Sequence, residues 1–282
     1  MPKKYYYFFI KKIKNIYGPL ATYLILLPAV ALFGLFSLIP MIYCFMEGLK
    51  PGSLELYNYV FKTRLIRDLL FTIGVGIATA TISFFLSIPI SLILRRRFKG
   101  RTLIQALLLF PLVVPELIAG YSIWLTFMPH GLLYGILTRL LNIPHLPLVP
   151  DWGKLIIACT WKYFPMMTLL IAAGLESIDP DLELAARSLG ASPLKTFISV
   201  TLPLLIPSLI SGYTLVFLRA AGQFSITLVI GGAKLTTIPV DIWYQYQLAN
   251  MRLSYVLATL LTFTMVALVL IFTRVLRGMY RG

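Results

Sequence analysis

Three ionisable residues, Glu116, Lys162 and Arg219, stand inside long apolar stretches of the sequence. A charge at the centre of a bilayer costs about 2.5–3.5 kcal/mol on insertion scales, so a charge in such a stretch is a candidate for binding a polar ligand. Glu116 suits a cation and Arg219 an anion. A structural ion pair of Glu116 with Lys162 or Arg219 explains the same residues, and the long lysine side chain can also extend to a membrane interface. Both interpretations fit these three charges.

The side chains needed for catalysis or metal binding are scarce. The chain holds two histidines, and its two cysteines, Cys44 and Cys159, both lie in apolar runs, which excludes a disulfide framework and a cysteine zinc site. No apolar stretch carries a Ser/His pair, a His cluster or paired carboxylates. The phosphate-binding sequence G-x-x-x-x-G-K-S/T is also absent. We therefore predict that the chain is not an enzyme, has no metal or cofactor site and does not bind ATP itself.

The composition indicates that these residues are positioned by membrane-spanning helices. Of the 282 residues, 59% are hydrophobic and only 12% are charged, about half the charged share of a typical soluble domain. A helix needs about 20 apolar residues to cross a bilayer. Six stretches qualify: 19–46, 69–94, 103–128, 155–175, 202–224 and 255–272. We predict an all-α polytopic membrane protein with six transmembrane helices. The third stretch contains Pro111 and Pro115, and a break there frees carbonyl groups that can line a cavity.

The positive charges are distributed unevenly around these stretches. If both termini are cytoplasmic, 15 of the 25 Lys and Arg residues fall on the inside: five before the first span, five between the second and third, and five in the 176–203 loop and the carboxyl terminus. Such a bias follows the positive-inside rule. The net charge of +15 therefore reports membrane orientation, and we expect no nucleic-acid partner.

The predicted organisation has three parts. Residues 1–18 alternate basic and aromatic blocks, which is typical of an interfacial amphipathic segment and equally of a plain orientation signal. Residues 19–277 form the six-span domain, and 278–282 form a cytoplasmic tail. Residues 131–142, between the third and fourth spans, show apolar spacing of helical period and either lie on the outer membrane face or pack between spans.

The cytoplasmic loop at 176–203 carries clear helix-boundary signals. Asp179 is a good N-cap, and Pro180 suits the first helical position. Gly190 supplies the left-handed conformation that ends a helix, and Ser192 with Pro193 starts another. The loop is therefore predicted to form two short helices with a sharp corner at Gly190, the second running into the fifth span.

The first of these helices has a flat surface. Ala185 and Ala186 stand side by side and allow another protein to approach closely, and Asp181 and Glu183 place negative charge in the first turn. Two interpretations remain for this segment: a docking surface for a partner protein, or a solvated amphipathic connector.

The spacing in this loop resembles the EAA motif of ABC importer permeases, which reads E-A-A, three residues, Gly, nine residues, then I-x-L-P. The matching positions are Ala185, Ala186, Gly190, Val200, Leu202 and Pro203. Leu184 stands where the family has its Glu, and Glu183 comes one place earlier. The chain is thus identified as resembling the permease subunit of a type I ABC importer, with six spans and both termini inside.

The resemblance implies a set of partners and a location. Two permease subunits, identical or homologous, enclose a solute pathway in the cell (inner) membrane, two copies of an ATP-binding subunit drive transport, and an extracytoplasmic solute-binding protein delivers the solute. Residues 180–189 would form the coupling helix. The implied coupling residues are Asp179, Glu183, Ala185, Ala186, Gly190 and Pro203, and Glu116 and Arg219 are the pathway candidates.

The solute class is read from the residues beside the motif. The sequence R-S-L-G-A-S-P, ending at Pro193, is similar to the branch that handles polyamines, ferric iron, thiosulfate, molybdate and phosphonates. We expect a polyamine- or iron-like solute. A sugar or oxyanion permease is the alternative, and an ATP-independent secondary carrier would also explain the intramembrane charges, although no internal repeat is visible.

Overall fold

The computed structural model describes residues 19–96, 98–128, 131–133, 135–136, 149–232 and 234–281, and side-chain surroundings within 26–274. The predicted interfacial segment 1–18 lies outside the described residues, as does most of the predicted 131–142 segment and the end of the tail. Within the described part the chain is helical and has no strands, which confirms the all-α prediction.

The helices follow one another with short connections. They are α1 Pro19–Phe33, α2 Ile39–Gly48, α3 Pro51–Lys62, α4 Leu65–Arg95, α5 Arg101–Val113, α6 Glu116–Phe127, α7 Asp151–Ser177, α8 Pro180–Ser188, α9 Pro193–Thr196, α10 Leu202–Ala221, α11 Ser225–Gly231, α12 Ile238–Gln247 and α13 Met251–Arg281. Single π-helical segments, Gly34–Leu38 and Phe197–Thr201, join α1 to α2 and α9 to α10 without interrupting the helical path.

The described helices account for the six predicted spans. Five continuous segments are long and apolar enough to cross a membrane: Leu26–Gly48, Leu65–Arg95, Asp151–Ser177, Pro193–Ala221 and Met251–Arg274. The sixth is the pair α5 and α6, which meet at an angle of 98°. The predicted single helix over 103–128 is therefore wrong in shape, although the predicted break is present.

The break has a local cause. Val114 adopts an extended conformation with ψ 127°, and the next residue, Pro115, has no N–H to donate and disfavours a helical residue before it. Pro111 lies four residues earlier and stays inside α5. One of the two prolines thus ends a helix and the other is accommodated.

The centre of the molecule is a three-helix core of α4, α7 and α10. One face of α4 carries small and hydroxyl side chains at helical spacing, and all are buried: Thr72, Gly76, Thr79, Ala80, Ser83, Ser87 and Ser91. Ser91 Oγ donates to the Thr168 carbonyl at 2.9 Å, and Thr168 Oγ1 donates to Ser87 Oγ at 2.9 Å. Small residues let helix backbones approach in a membrane, and hydroxyls add interhelical hydrogen bonds.

The first span lies outside this core. None of the most apolar window of Leu26–Gly48 is buried within the chain. Its contacts with the rest of the described bundle come from the α2 half, where Phe45 stacks on Phe263 of α13 at 5.4 Å. A fully apolar, uncovered helix is stable only in lipid or against another protein.

Close packing between α7 and α10 depends on a glycine. A Cβ at Gly174 would lie 2.6 Å from Ser208 Cβ and 3.0 Å from Leu205 Cδ1. We expect Gly174→Ala to separate the two helices and lower the free energy of unfolding by about 1–3 kcal/mol. Gly74 in α4 is the matched control, because a Cβ there meets nothing within 4 Å.

Thermal unfolding in detergent measures both variants. Gly74→Ala should leave the melting temperature unchanged or raise it slightly, since alanine is the better helix former. Equal melting temperatures for the two variants would show that the close α7–α10 contact does not limit stability.

Candidate functional site

The cytoplasmic loop has the predicted helix–glycine–helix geometry. Asp179 Oδ1 accepts a hydrogen bond from the Asp181 amide at 3.0 Å, and Ser192 Oγ accepts one from the Lys195 amide at 3.3 Å. Gly190 has φ +86°, and the following Ala191 amide donates to the Ala186 carbonyl at 3.1 Å. These are the bonds of a capped helix start and a left-handed helix end. The second helix continues through Pro203 into α10, as predicted.

Glu183 ties this loop to the membrane helices. Its Oε1 accepts from Arg95 Nη1 at 2.6 Å, at the end of α4, and from Thr201 Oγ1 at 2.6 Å, at the start of α10. Partial burial alone raises the pKa of the Glu183 carboxyl, but the hydrogen bonds from Thr201 and Arg95 and the positive charges of Arg95 and Arg187 outweigh burial and hold the pKa below its ordinary value. Glu183 is therefore a charged brace and does not lie on the outer face of α8.

A second brace lies beside the first. Arg101 Nη2 donates to Glu176 Oε1 at 2.6 Å, which joins the start of α5 to the end of α7. The cytoplasmic ends of four helices are thus linked in pairs, α4 with α8 and α5 with α7. The partners of Glu183 and Glu176 are 88 and 75 residues away in sequence, and no local pattern predicted them.

The outer face of the loop is more apolar than its alanines alone predicted. Leu189, beside the glycine corner, is 90% exposed, and Leu184 and Leu194 are 62% and 68% exposed. Ala185 is exposed as well, and Ala186 is half-buried. Exposed leucines around a rigid corner are typical of a protein-docking surface. The signal in the sequence was three leucines in an otherwise polar loop, and our prediction did not use it.

Inside the membrane, Lys162 caps the broken end of α5. Its Nζ donates to the carbonyl oxygens of Pro111 at 2.8 Å, Leu112 at 3.2 Å and Val114. The lysine is only 6% exposed, so it does not extend to a membrane interface. The carbonyls freed by the break are satisfied by a cation, as a helix carboxyl end favours.

Glu116 begins the other half of the broken span. It is half-buried, and its Oε1 accepts a hydrogen bond from Tyr163 Oη of α7 at 3.0 Å. Within the described chain Glu116 makes no ion pair with Lys162 or Arg219, so the predicted structural pair is not formed. Its charge nevertheless acts at Lys162 and Tyr163, and the charge of Arg219 also acts at Tyr163. The four side chains share one electrostatic neighbourhood.

Helices α6 and α11 are both too short to cross a membrane, and they pack on each other. A Cβ at Gly120 of α6 would lie 3.1 Å from the Ile226 Cα of α11. Ile226 itself is fully buried. This contact supports the bent half of the broken span at membrane depth. Backbone of this kind is tolerated where protein covers it or a polar cavity adjoins it.

An acidic pair joins α4 to α12 at the opposite end of the bundle from the loop. Arg64 Nη2 lies 3.6 Å from Asp241 Oδ1, and Arg64 Nε lies 3.8 Å from Asp68 Oδ2. Asp241 is 1% exposed. Burial raises the pKa of the Asp241 carboxyl to about 7, and the neighbouring Asp68 charge adds to the rise while Arg64 opposes it. The sequence gave no sign of this pair, because its members are 173 positions apart.

Comparison with known proteins agrees with this geometry. The model of the family "Binding-protein-dependent transport system inner membrane component" matches residues 87–281. The trehalose/maltose transport system permease protein MalF of Thermococcus litoralis is 31% identical over 267 residues, 86% of this chain and 89% of that protein. A probable molybdenum ABC transporter permease protein of Haloferax volcanii is 33% identical over 167 residues, 59% of each chain. This chain therefore matches less than two thirds of the length of the Haloferax protein.

Solved structures show the same fold. A chain of a bacterial ABC transporter involved in the import of the acidic polysaccharide alginate superposes with a TM-score of 0.77 at 20% identity, over 96% of this chain and 98% of that chain. A chain of the MetNI methionine ABC transporter superposes with a TM-score of 0.57 at 18% identity, over 76% of this chain and 95% of that chain.

The carbonyl cap should be essential to stability. We expect Lys162→Met to lower the free energy of unfolding by roughly 2–4 kcal/mol, because it leaves buried carbonyl groups without donors. Lys154→Met is the matched control, since Lys154 is equally buried in α7 but bonds only the half-exposed Asp151 at 3.0 Å. Detergent melting curves compare the two, and an equal loss would argue against a special role for the cap.

The acidic pair should make stability depend on pH. The pKa of Asp241 is raised in the folded chain, so its stabilising contribution is complete below the ordinary pKa near 3.8 and is lost as pH rises through about 7. We expect the melting temperature of the wild-type protein to fall between pH 5 and pH 8. Asp241→Asn cannot ionise and should flatten this dependence. A variant with the same slope as the wild type would place the titrating group elsewhere.

Proposed function

This chain belongs to the family of binding-protein-dependent transport system inner membrane components, and from that membership we propose that it forms one half of the solute pathway of an ATP-driven importer. The observation that carries the proposal is the cytoplasmic loop, a capped helix with a rigid glycine corner and an exposed apolar face. In this proposal the helix α8 docks in a cleft of a separate ATP-binding subunit. The six-span unit, residues 19–277, is the permease domain.

The coupling residues have separate roles in this proposal. Asp179 and Gly190 shape the two ends of α8, and Ala185 and Ala186 allow close approach of the ATP-binding subunit. Leu184 and Leu189 supply the apolar contact, because they are the exposed side chains on this face. Glu183 does not touch the partner in this scheme.

Movement of α8 would reach the membrane by two routes. Glu183 passes force to Arg95 at the end of α4 through a 2.6 Å ion pair. The continuous segment Pro193–Ala221, which includes Pro203, passes force from the corner at Gly190 directly into α10. Since α4, α7 and α10 are packed as one core, rigid-body rocking of that core is the expected response to closure of the ATP-binding subunits.

The assembly implied by this mechanism has several subunits. We propose a second permease, identical or homologous, against the uncovered first span, two ATP-binding subunits on the cytoplasmic face and a solute-binding protein outside. A related solved structure is described as an alginate ABC transporter in complex with an alginate pentasaccharide-bound periplasmic protein. The distribution of Lys and Arg supports an inner-membrane orientation with both termini cytoplasmic.

The relatives narrow the solute. Their names refer to molybdenum and to trehalose and maltose, which favours the oxyanion and sugar alternatives over the expected polyamine- or iron-like solute. We propose a small polar solute of one of these two classes. The pathway candidates are Glu116 and Arg219, which lie at the broken span and on α10. Family membership disfavours an ATP-independent carrier.

The coupling assignment is tested with two glycines. Gly190 and Gly100 both have positive φ, +86° and +94°, and a Cβ at either meets nothing within 4 Å. Leucine at either site therefore costs a similar roughly 1–2 kcal/mol of backbone strain. We expect Gly190→Leu to insert and fold but to lose the ATP-binding subunit and solute uptake, because the added side chain blocks the docking face. Gly100→Leu should retain both.

Co-purification in mild detergent, with the neighbouring genes expressed, measures binding, and uptake in membrane vesicles measures transport. Equal retention of the ATP-binding subunit by both variants would contradict the assignment of α8. Equal loss would show that backbone strain, and not the docking face, is responsible.

A further inference from the structure

Arg219 differs from the other intramembrane charges in having no partner. Glu116 is bonded by Tyr163 and Lys162 is bonded to three carbonyls, whereas Arg219 has neither a hydrogen bond nor an ion pair with any described residue. It is also exposed on α10. Because a charge facing lipid is costly, an uncompensated guanidinium here requires water or an anion beside it.

A second unsatisfied donor lies one turn further along the chain. Gln223 is 4% exposed, and its Oε1 accepts from the Phe224 amide at 3.0 Å. A backbone N–H can only donate, so this bond fixes the orientation of the side-chain amide. The Nε2 group is then left buried without a partner. Gly222 and Gln223 continue the helical winding through amide bonds to Leu218 and Ala220, which places Gln223 on the same side of the helix end as Arg219.

The local charge favours an anion. The three ionisable groups inside the described spans are two cations and one carboxylate, so one positive charge is in excess. The carboxylate of Glu116 already accepts a hydrogen bond and lies within the field of Lys162. The excess therefore resides at Arg219.

The exposed face of α10 that leads to Arg219 is not purely apolar. A groove of about 440 Å³ runs along it and is lined in part by Ser211, Thr214 and Thr273. Its lining extends to Leu218, the residue before Arg219. Thr214 Oγ1 has no hydrogen-bond partner in the described chain. Unsatisfied hydroxyl and amide donors along one face are the features of a surface that meets a polar ligand.

We propose that Arg219 and Gln223 form an anion contact in the pathway and that the transported solute is a small oxyanion. This inference rests on the proposed function, because it places the contact within the solute pathway of an importer. The guanidinium supplies charge and paired N–H donors for an oxyanion, and the Gln223 amide supplies a neutral donor. A neutral sugar would leave the guanidinium charge uncompensated.

The charge of the contact can be measured without knowing the solute. A cysteine replaces Leu218 in a Cys44→Ser, Cys159→Ala background, and its labelling rates by anionic and cationic methanethiosulfonate reagents are compared in membranes holding the whole complex. We expect the anionic-to-cationic rate ratio to be about fivefold higher with Arg219 than with Arg219→Gln. A cysteine at Ser211, about 12 Å away along the helix, is the control and should change little.

Three outcomes overturn the proposal. Leu218→Cys inert to both reagents means that lipid or protein covers this face, and a ratio unchanged by Arg219→Gln means that Arg219 does not set the local charge. Molybdate should slow anionic labelling at Leu218→Cys more than chloride at equal ionic strength, and equal slowing would exclude an oxyanion preference. Co-purification of the ATP-binding subunit is scored on every variant. Its loss from the cysteine parent contradicts the proposed function, whereas its retention with an unchanged ratio contradicts only the anion contact.

Discussion

The structure depends on how a broken helix is satisfied at membrane depth. Val114 and Pro115 turn the chain by 98° in a region where water is not available to the freed carbonyls. Lys162 provides the donors, and Tyr163, the next residue of α7, bonds the first residue of the second half. Two adjacent residues of one straight helix therefore hold both arms of the bend. Without them the short helices α6 and α11 would have no fixed position beside the core.

The same economy governs the core. The buried face of α4 has glycine, alanine, serine and threonine where a soluble helix would have leucine, because lipid provides little hydrophobic drive for helix association and close approach must replace it. The result is a rigid unit of α4, α7 and α10. Its rigidity makes the cytoplasmic loop effective as a lever, since the loop is joined to α4 by the Arg95–Glu183 ion pair and to α10 by a continuous helix.

Charge is used differently at three levels of the molecule. At the cytoplasmic end, ion pairs are partly exposed and brace helix ends. In the middle, Lys162 and Glu116 are satisfied by neutral groups and by each other's field, and Arg219 is left uncompensated. At the far end, Asp68 and Asp241 share Arg64, and burial raises the pKa of Asp241 to about 7. A conserved bilayer cost thus leads to three solutions that depend on access to water.

The sequence by itself determined the features that are local. Apolar length predicted the spans, and caps and glycine predicted α8, its corner and the run into α10, because each signal acts within a few residues of where it stands. The position of the proline break was predicted for the same reason. Its angle was not, nor was the fate of the three intramembrane charges, for which an ion pair or an interfacial lysine was expected. Lys162 and Pro111 are 51 positions apart and Arg95 and Glu183 are 88 apart, so only packing decides that they meet. Tertiary structure chose the partners, since a buried polar group bonds whatever the fold brings within reach.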